Sequence, residues 1–196
     1  MALTAAVFLD KDGTVLENVP YNVDPVRMHF APGAMAGISR LSGLGLPLII
    51  ISNQPGVALG KFPVSDLLIV RDRLECMFRS AGATLAGFYC CPHHPGALQS
   101  QYALECSCRK PAPGMLQQAA REYDIDLAKS WLIGDILDDV EAGRRAGCKT
   151  ILLDNGNETE WLHNEWRQPD RIEPSLDEAS RWIAMHRQQA GLGDAK

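Results

Sequence analysis

Short apolar runs alternate along the chain with longer segments whose apolar residues recur every three or four positions. Residues 5–9 are an unbroken apolar run ending at Asp10. Such a run, bounded by polar residues, predicts a strand buried on both faces. Residues 47–51, 84–90, 131–133 and 149–153 repeat the pattern and predict four more strands. Helical spacing runs over 33–44, with Met35, Ile38 and Leu41 on one face. It returns over 65–80, where Ser65 is expected to cap a helix that buries Leu67, Val70, Leu74, Met77 and Phe78. Shorter helices are predicted over 114–123 and 138–146, the latter stopped by Gly147. The polar stretch 155–196 offers one helix, over 177–187.

Strand–helix alternation predicts an α/β fold with a mainly parallel sheet flanked by helices. In such sheets ligands bind beyond the carboxyl ends of the strands. Asp10, Ser52 and Asp135 each follow a predicted strand, so they should converge at one edge.

The chemistry at those strand ends is acidic. Asp10 and Asp12 flank Lys11, and side-chain alternation sends both carboxylates to one side, where they repel. A divalent cation resolves that repulsion, leaving Asp10 as a nucleophile and Asp12 as a proton-handling group. An ordinary Asp-Gly turn is the other reading of the same residues. Asp135, followed by Asp138 and Asp139, adds an oxygen-rich cluster suited to Mg²⁺. Asp138 or Asp139 is also a candidate cap for the helix that starts there. Ser52, Asn53, Arg109 and Lys110 supply a hydroxyl, an amide and cations that can hold phosphoryl oxygens. Taken singly, each is an ordinary loop residue.

Composition narrows the function classes. Of 196 residues, 46% are hydrophobic and 22% charged, which excludes a disordered or disulfide-dependent chain. Nineteen basic against 24 acidic residues give a net charge of −5, the wrong sign for a nucleic-acid footprint. The longest apolar run is too short to span a bilayer, and the N-terminus has no signal-peptide pattern. A cytoplasmic protein with no nucleic-acid or membrane partner is the expectation, and a small anionic substrate is compatible with the charge where a metal or local cations neutralise it.

Six cysteines are present, and their spacing says more than their number. Cys91-Pro92-His93 and Cys106-Ser107-Cys108 offer three sulfurs and one imidazole across a loop with little core of its own. That donor set suits a structural, four-coordinate Zn²⁺. His94 is the competing imidazole. Cys76, Cys90 and Cys148 lie in apolar contexts and read as core. Because Arg109 and Lys110 follow Cys108 directly, a metal clip would also fix the candidate phosphate-binding lysine.

The order Asp-x-Asp-Gly-Thr, Ser at a strand end, Lys, then Gly-Asp-x-x-x-Asp resembles the haloacid dehalogenase (HAD) superfamily of phosphotransferases. The matching motifs span residues 10–139. Cys-Pro-His-His-Pro followed by Cys-x-Cys-Arg-Lys-Pro resembles the zinc-loop branch of that superfamily. The residues predict one unit over 1–196, with a zinc loop at 90–110 and a helical extension at 155–196. The resemblance implies a Rossmann-like sheet without a large cap domain. It also implies an aspartyl-phosphate mechanism: Asp10 attacks phosphorus, Asp12 protonates the leaving oxygen and then activates water, and Ser52 and Lys110 hold the phosphoryl group. Mg²⁺ is assigned to Asp10, the backbone carbonyl of Asp12, and Asp135, with Asp139 nearby.

The substrates that the branch implies are a heptose bisphosphate cleaved at its 7-phosphate, or histidinol phosphate. Three positions depart from the heptose pattern. Leu59 stands for an arginine, Ile136 for a lysine, and Pro55 for a small polar residue. Lys61 and Arg109 are the cations left to meet a second phosphate. A phospho-accepting receiver domain is the alternative from another class. The split Asp-x-Asp, and the lack of an extra Asp after the second strand, argue against it.

Overall fold

The computed structural model describes residues 3–97 and 101–193, with side chains described through Arg187. Residues 98–100 of the predicted zinc loop and the last three residues of the predicted extension lie outside the described residues.

Six parallel strands form one sheet in the order β3-β2-β1-β4-β5-β6. They are β1 (Val7–Leu9), β2 (Leu48–Asn53), β3 (Leu85–Cys91), β4 (Trp131–Gly134), β5 (Lys149–Leu153) and β6 (Arg171–Glu173). Five α-helices connect or flank them: α1 (Ala34–Ser42), α2 (Asp66–Ser80), α3 (Gly114–Glu122), α4 (Leu137–Ala146) and α5 (Leu176–Gly193). The chain builds outward from β1 to β3, then returns to place β4 on the other side of β1. That reversal opens a crevice at the carboxyl ends of β1 and β4, where a ligand site is expected.

The apolar strand runs are explained by burial on both faces. Val7, Leu9, Leu48, Ile50, Trp131 and Ile133 pack with residues of α1, α2 and α5. The alternate residues Phe8, Ile49, Ile51 and Leu132 pack with Met115, Leu116 and Ala119 of α3 and Ala142 of α4. Period-two alternation therefore divides each strand between two cores rather than between core and water.

Several sequence expectations are corrected. Met35 is exposed, while Ile38 and Leu41 of the same helix are buried. Ser65 already has helical backbone angles and makes no side-chain capping bond. Ser52 lies inside β2, paired with Cys90, rather than beyond it. Cys76 is exposed, not core. Strand β6 was missed: only three residues long, two of them charged, it carries too weak a pattern to be read.

Candidate active site and metal centres

Register brings the site together. Leu9 of β1 pairs with Ile133 of β4, and the Asp10 N–H donates to the Ile133 carbonyl at 2.9 Å. Asp10 therefore leaves the sheet beside Asp135, which follows β4 directly. Asp139 sits one helical turn into α4 and is fully buried, and its carboxylate accepts the Ile136 N–H at 3.4 Å. Carboxylate oxygens of Asp10, Asp135 and Asp139 all lie within 4.8 Å of one another.

Gly13 makes this approach possible. Its φ of +81° is a left-handed angle that side chains disfavour, and a Cβ there would meet Asp135 Oδ2 at 1.9 Å. The Thr14 hydroxyl donates to Asp135 Oδ1 at 3.4 Å. From the end of β5, the Asn155 amide donates to the Gly13 carbonyl at 2.7 Å, fixing the turn from the far side.

One cation faces this trio. Lys110 is buried, with its ammonium paired to Asp10 and lying 2.5 Å from Asp139 Oδ1. It also donates to the Ile51 carbonyl at 3.2 Å. Burial alone would lower the Lys110 pKa, but Asp10 and Asp139 outweigh it and hold the ammonium above its ordinary value. Burial pushes Asp135 and Asp139 well above the usual carboxylate range, and the Asp10 charge adds to both shifts. Three carboxylates against one ammonium leave unbalanced negative charge in an oxygen-only donor set. That chemistry fits a hard divalent cation such as Mg²⁺.

Asp12 is placed differently. Its carboxylate turns away from the trio: Oδ1 lies 2.7 Å from Lys11 Nζ and Oδ2 accepts from Gln54 at 3.2 Å. Burial raises its pKa, partly offset by Lys11 and reinforced by Asp10. The side chain is 31% exposed and so can reach a ligand. Of the two candidate caps on α4, Asp139 contributes from the N3 position by accepting the N–H of the N-cap residue Ile136, and Asp138 does not cap the helix. The Leu137 N–H is instead satisfied by Glu158 Oε2 at 2.6 Å, from the loop after β5. Asp138 pairs with Arg167 at 2.6 Å. A cap supplied from twenty-one residues downstream has no local signal in the sequence.

The candidate phosphate-binding residues divide between side-chain and backbone roles. Ser52 is buried, and its Oγ accepts from Gln54 at 2.8 Å. Asn53 binds the backbone of Lys110, and Arg109 donates to the His93 carbonyl at 3.4 Å. Lys61 is exposed and lies 6.0 Å from the Tyr21 ring centroid.

The second cluster joins Cys91, His93, Cys106 and Cys108. Its sulfurs are 2.8 to 3.5 Å apart, and His93 Nδ1 lies 3.2 Å from Cys108 Sγ. A tetrahedron with metal–sulfur bonds of about 2.3 Å has edges of about 3.8 Å, so the sulfurs would move apart by up to about 1 Å to hold zinc. Burial pushes the Cys91 thiol pKa up, a cost that metal binding removes by taking the thiolate. The cluster includes His93; His94 Nδ1 instead accepts the Gly96 N–H at 3.1 Å.

Among the described residues no helix is long and apolar enough to cross a membrane. A family model described as HAD-hydrolase-like matches residues 107–179. The D-glycero-beta-D-manno-heptose-1,7-bisphosphate 7-phosphatase of Photorhabdus laumondii is 38% identical over 76% of this chain and 79% of its own. The enzyme of that name from Escherichia coli K12 is 31% identical over 91% of this chain and 87% of its own. The crystal structure of D,D-heptose 1,7-bisphosphate phosphatase from B. bronchiseptica, complexed with magnesium and phosphate, superposes with a TM-score of 0.76. It shares 27% identity and covers 93% of this chain and 99% of its own. With its acidic strand ends and buried lysine set in the same fold, the chain belongs to the HAD superfamily of phosphatases.

Proposed function

We propose that the chain removes the 7-phosphate of D-glycero-D-manno-heptose 1,7-bisphosphate through an aspartyl-phosphate on Asp10. The reading is carried by the 38% identity to an enzyme of that name, over three-quarters of the chain. The site chemistry supports it. Asp10, beside Lys110 at the sheet edge, attacks phosphorus, and the bond to the sugar oxygen breaks. Asp12 gives its proton to that oxygen. Water then attacks the aspartyl-phosphate, its proton passes to Asp12, and phosphate leaves with Asp10 restored. Two displacements replace one difficult one. Ser52 and Lys110 hold phosphoryl oxygens, with Asn53 fixing the Lys110 backbone. Asp10, the Asp12 carbonyl and Asp135 would hold Mg²⁺, with Asp139 beside them, and the ion would neutralise charge on the transferring group.

Cys91, His93, Cys106 and Cys108 form a closed zinc site that fixes the Arg109–Lys110 segment. Arg109 and Lys61 are the cations available to the second phosphate. The protein works as a monomer in the cytoplasm.

The test is phosphate release with Mg²⁺ from both anomers of heptose 1,7-bisphosphate and from histidinol phosphate, with Asp10→Asn as the blank. Preference for a heptose anomer upholds the reading. Preference for histidinol phosphate would keep the mechanism and overturn the substrate. Retention of more than a few per cent of activity in Asp10→Asn would remove Asp10 as nucleophile.

A further inference from the structure

Ser52, Asn53 and Gln54 lie together at the end of β2, and of the three only Gln54 holds neither phosphate nor the Lys110 backbone. Yet Gln54 is only 4% exposed. A carboxamide this deeply buried is costly unless its donors are satisfied. Its Nε2 lies 3.2 Å from Asp12 Oδ2 and 2.8 Å from Ser52 Oγ. The backbone N–H of Gln54 donates to the Cys91 carbonyl at 2.7 Å, which ties the residue to β3 at a member of the cysteine cluster.

The NH₂ group faces Asp12 Oδ2, and this orientation suits the carboxylate that remains once Asp12 has given up its proton, because that form only accepts. The NH₂ group has two protons. One goes to Asp12 and the other to Ser52.

We propose that Gln54 is a positioning residue that aims Asp12 at the leaving oxygen and Ser52 at the phosphoryl group with its one NH₂ group. The Asp12 carboxylate is then held at both oxygens, by Lys11 on Oδ1 and Gln54 on Oδ2. Two-point attachment stops the carboxyl from rotating or turning toward the Asp10 trio. Ser52 Oγ, which accepts from Gln54, keeps its own hydroxyl proton free to donate to a phosphoryl oxygen. The proposal rests on the assignment of Asp12 as proton donor.

The two arms predict separable effects. Losing the Ser52 arm weakens phosphoryl binding for every substrate. Losing the Asp12 arm hurts only substrates whose leaving oxygen needs a proton. A sugar alkoxide needs one. A 4-nitrophenolate does not, because it departs as a stable anion.

The experiment measures first-turnover release of the leaving group from heptose 1,7-bisphosphate and from 4-nitrophenyl phosphate. It compares wild type, Gln54→Met, Gln54→Ala and Asp12→Asn, with melting temperature as the check on folding. Gln54→Met keeps the volume and removes both donors; Gln54→Ala serves if methionine does not fit. In Gln54→Met the sugar-to-nitrophenyl rate ratio should fall on the order of ten- to a hundredfold, in the direction of Asp12→Asn. Both substrates should also share a smaller common loss. An unshifted ratio in the Gln54 variants, beside a shifted one in Asp12→Asn, would overturn the positioning role alone. An unshifted ratio in Asp12→Asn would remove the proton-donor assignment and the proposal with it.

Discussion

The Asn53 carboxamide holds the backbone of Lys110 at both ends: Oδ1 accepts its N–H at 2.9 Å, and Nδ2 donates to its carbonyl at 3.0 Å. The lysine comes from a loop, yet its buried ammonium pairs with both Asp10 and Asp139. A strand residue gripping a loop residue gives the loop the fixed position of the sheet. Asn53→Ala should therefore cost about 1–3 kcal/mol of stability, mostly from unpaired backbone groups of Lys110. Phosphate release should fall with it. Urea unfolding and steady-state kinetics check the two effects. Unchanged kinetics in a folded variant would show that Lys110 is held by other contacts.

Among the described residues, Lys110 is the cation paired within the three buried carboxylates. Removing one partner from a buried pair typically costs about 3–5 kcal/mol, because the charge left behind is uncompensated. Lys110→Met should lose at least about a hundredfold in turnover, as removal of a charge-stabilising donor typically does. Its stability loss should shrink when Mg²⁺ is added, since a bound cation supplies the missing positive charge. Melting curves with and without Mg²⁺ read this directly. A larger Mg²⁺ shift in wild type than in Lys110→Met would reject the electrostatic account.

The cysteine cluster predicts a selective result at two adjacent histidines. His93 Nδ1 is within 3.5 Å of two sulfurs, whereas His94 bonds Gly96 in its own turn. Purified wild type should carry about one zinc per chain, the occupancy of a closed four-ligand site. His93→Ala, Cys106→Ser and Cys108→Ser should each lower zinc content and melting temperature together. His94→Ala should leave the zinc content unchanged. Metal analysis alongside thermal unfolding decides it, and equal zinc in all four variants would refute the clip.

The sequence carried the parts of this site that have local signatures. Asp10 and Asp135 were legible because polar residues end apolar runs, and strand register then sets them side by side. Residues Cys91, His93, Cys106 and Cys108 were legible as a spacing, although the choice between His93 and His94 needed coordinates. What stayed hidden depends on contacts distant in sequence. Glu158 caps α4 across 21 positions, Asn155 reaches Gly13 across 142, and Asn53 meets Lys110 across 57. The exposure of Met35 was hidden for a related reason. Helical spacing gives the direction of a face, but only the packed neighbours decide where that face stops.

The last helix, whose part in the molecule the sequence did not reveal, belongs to the core. Leu176, Ala179 and Ile183 are buried in the core that also holds Val7, Leu9, Trp131 and Ile133 of the sheet and Ile38 and Leu41 of α1. Helix α1 approaches α5 so closely that a Cβ at Gly37 would meet the Leu176 backbone oxygen at 2.6 Å and its Cγ at 2.8 Å. Backbone cannot rotate aside as a flexible side chain can. Gly37→Val must then push the two helices apart, and overpacking of this kind typically costs about 1–3 kcal/mol. The contact lies on the opposite face of the sheet from α3 and α4, so the acidic edge and Lys110 should keep their geometry. The expected variant unfolds at lower denaturant concentration while turnover per folded molecule stays near wild type. A drop in turnover at temperatures where Gly37→Val is fully folded would mean that α5 helps to shape the site.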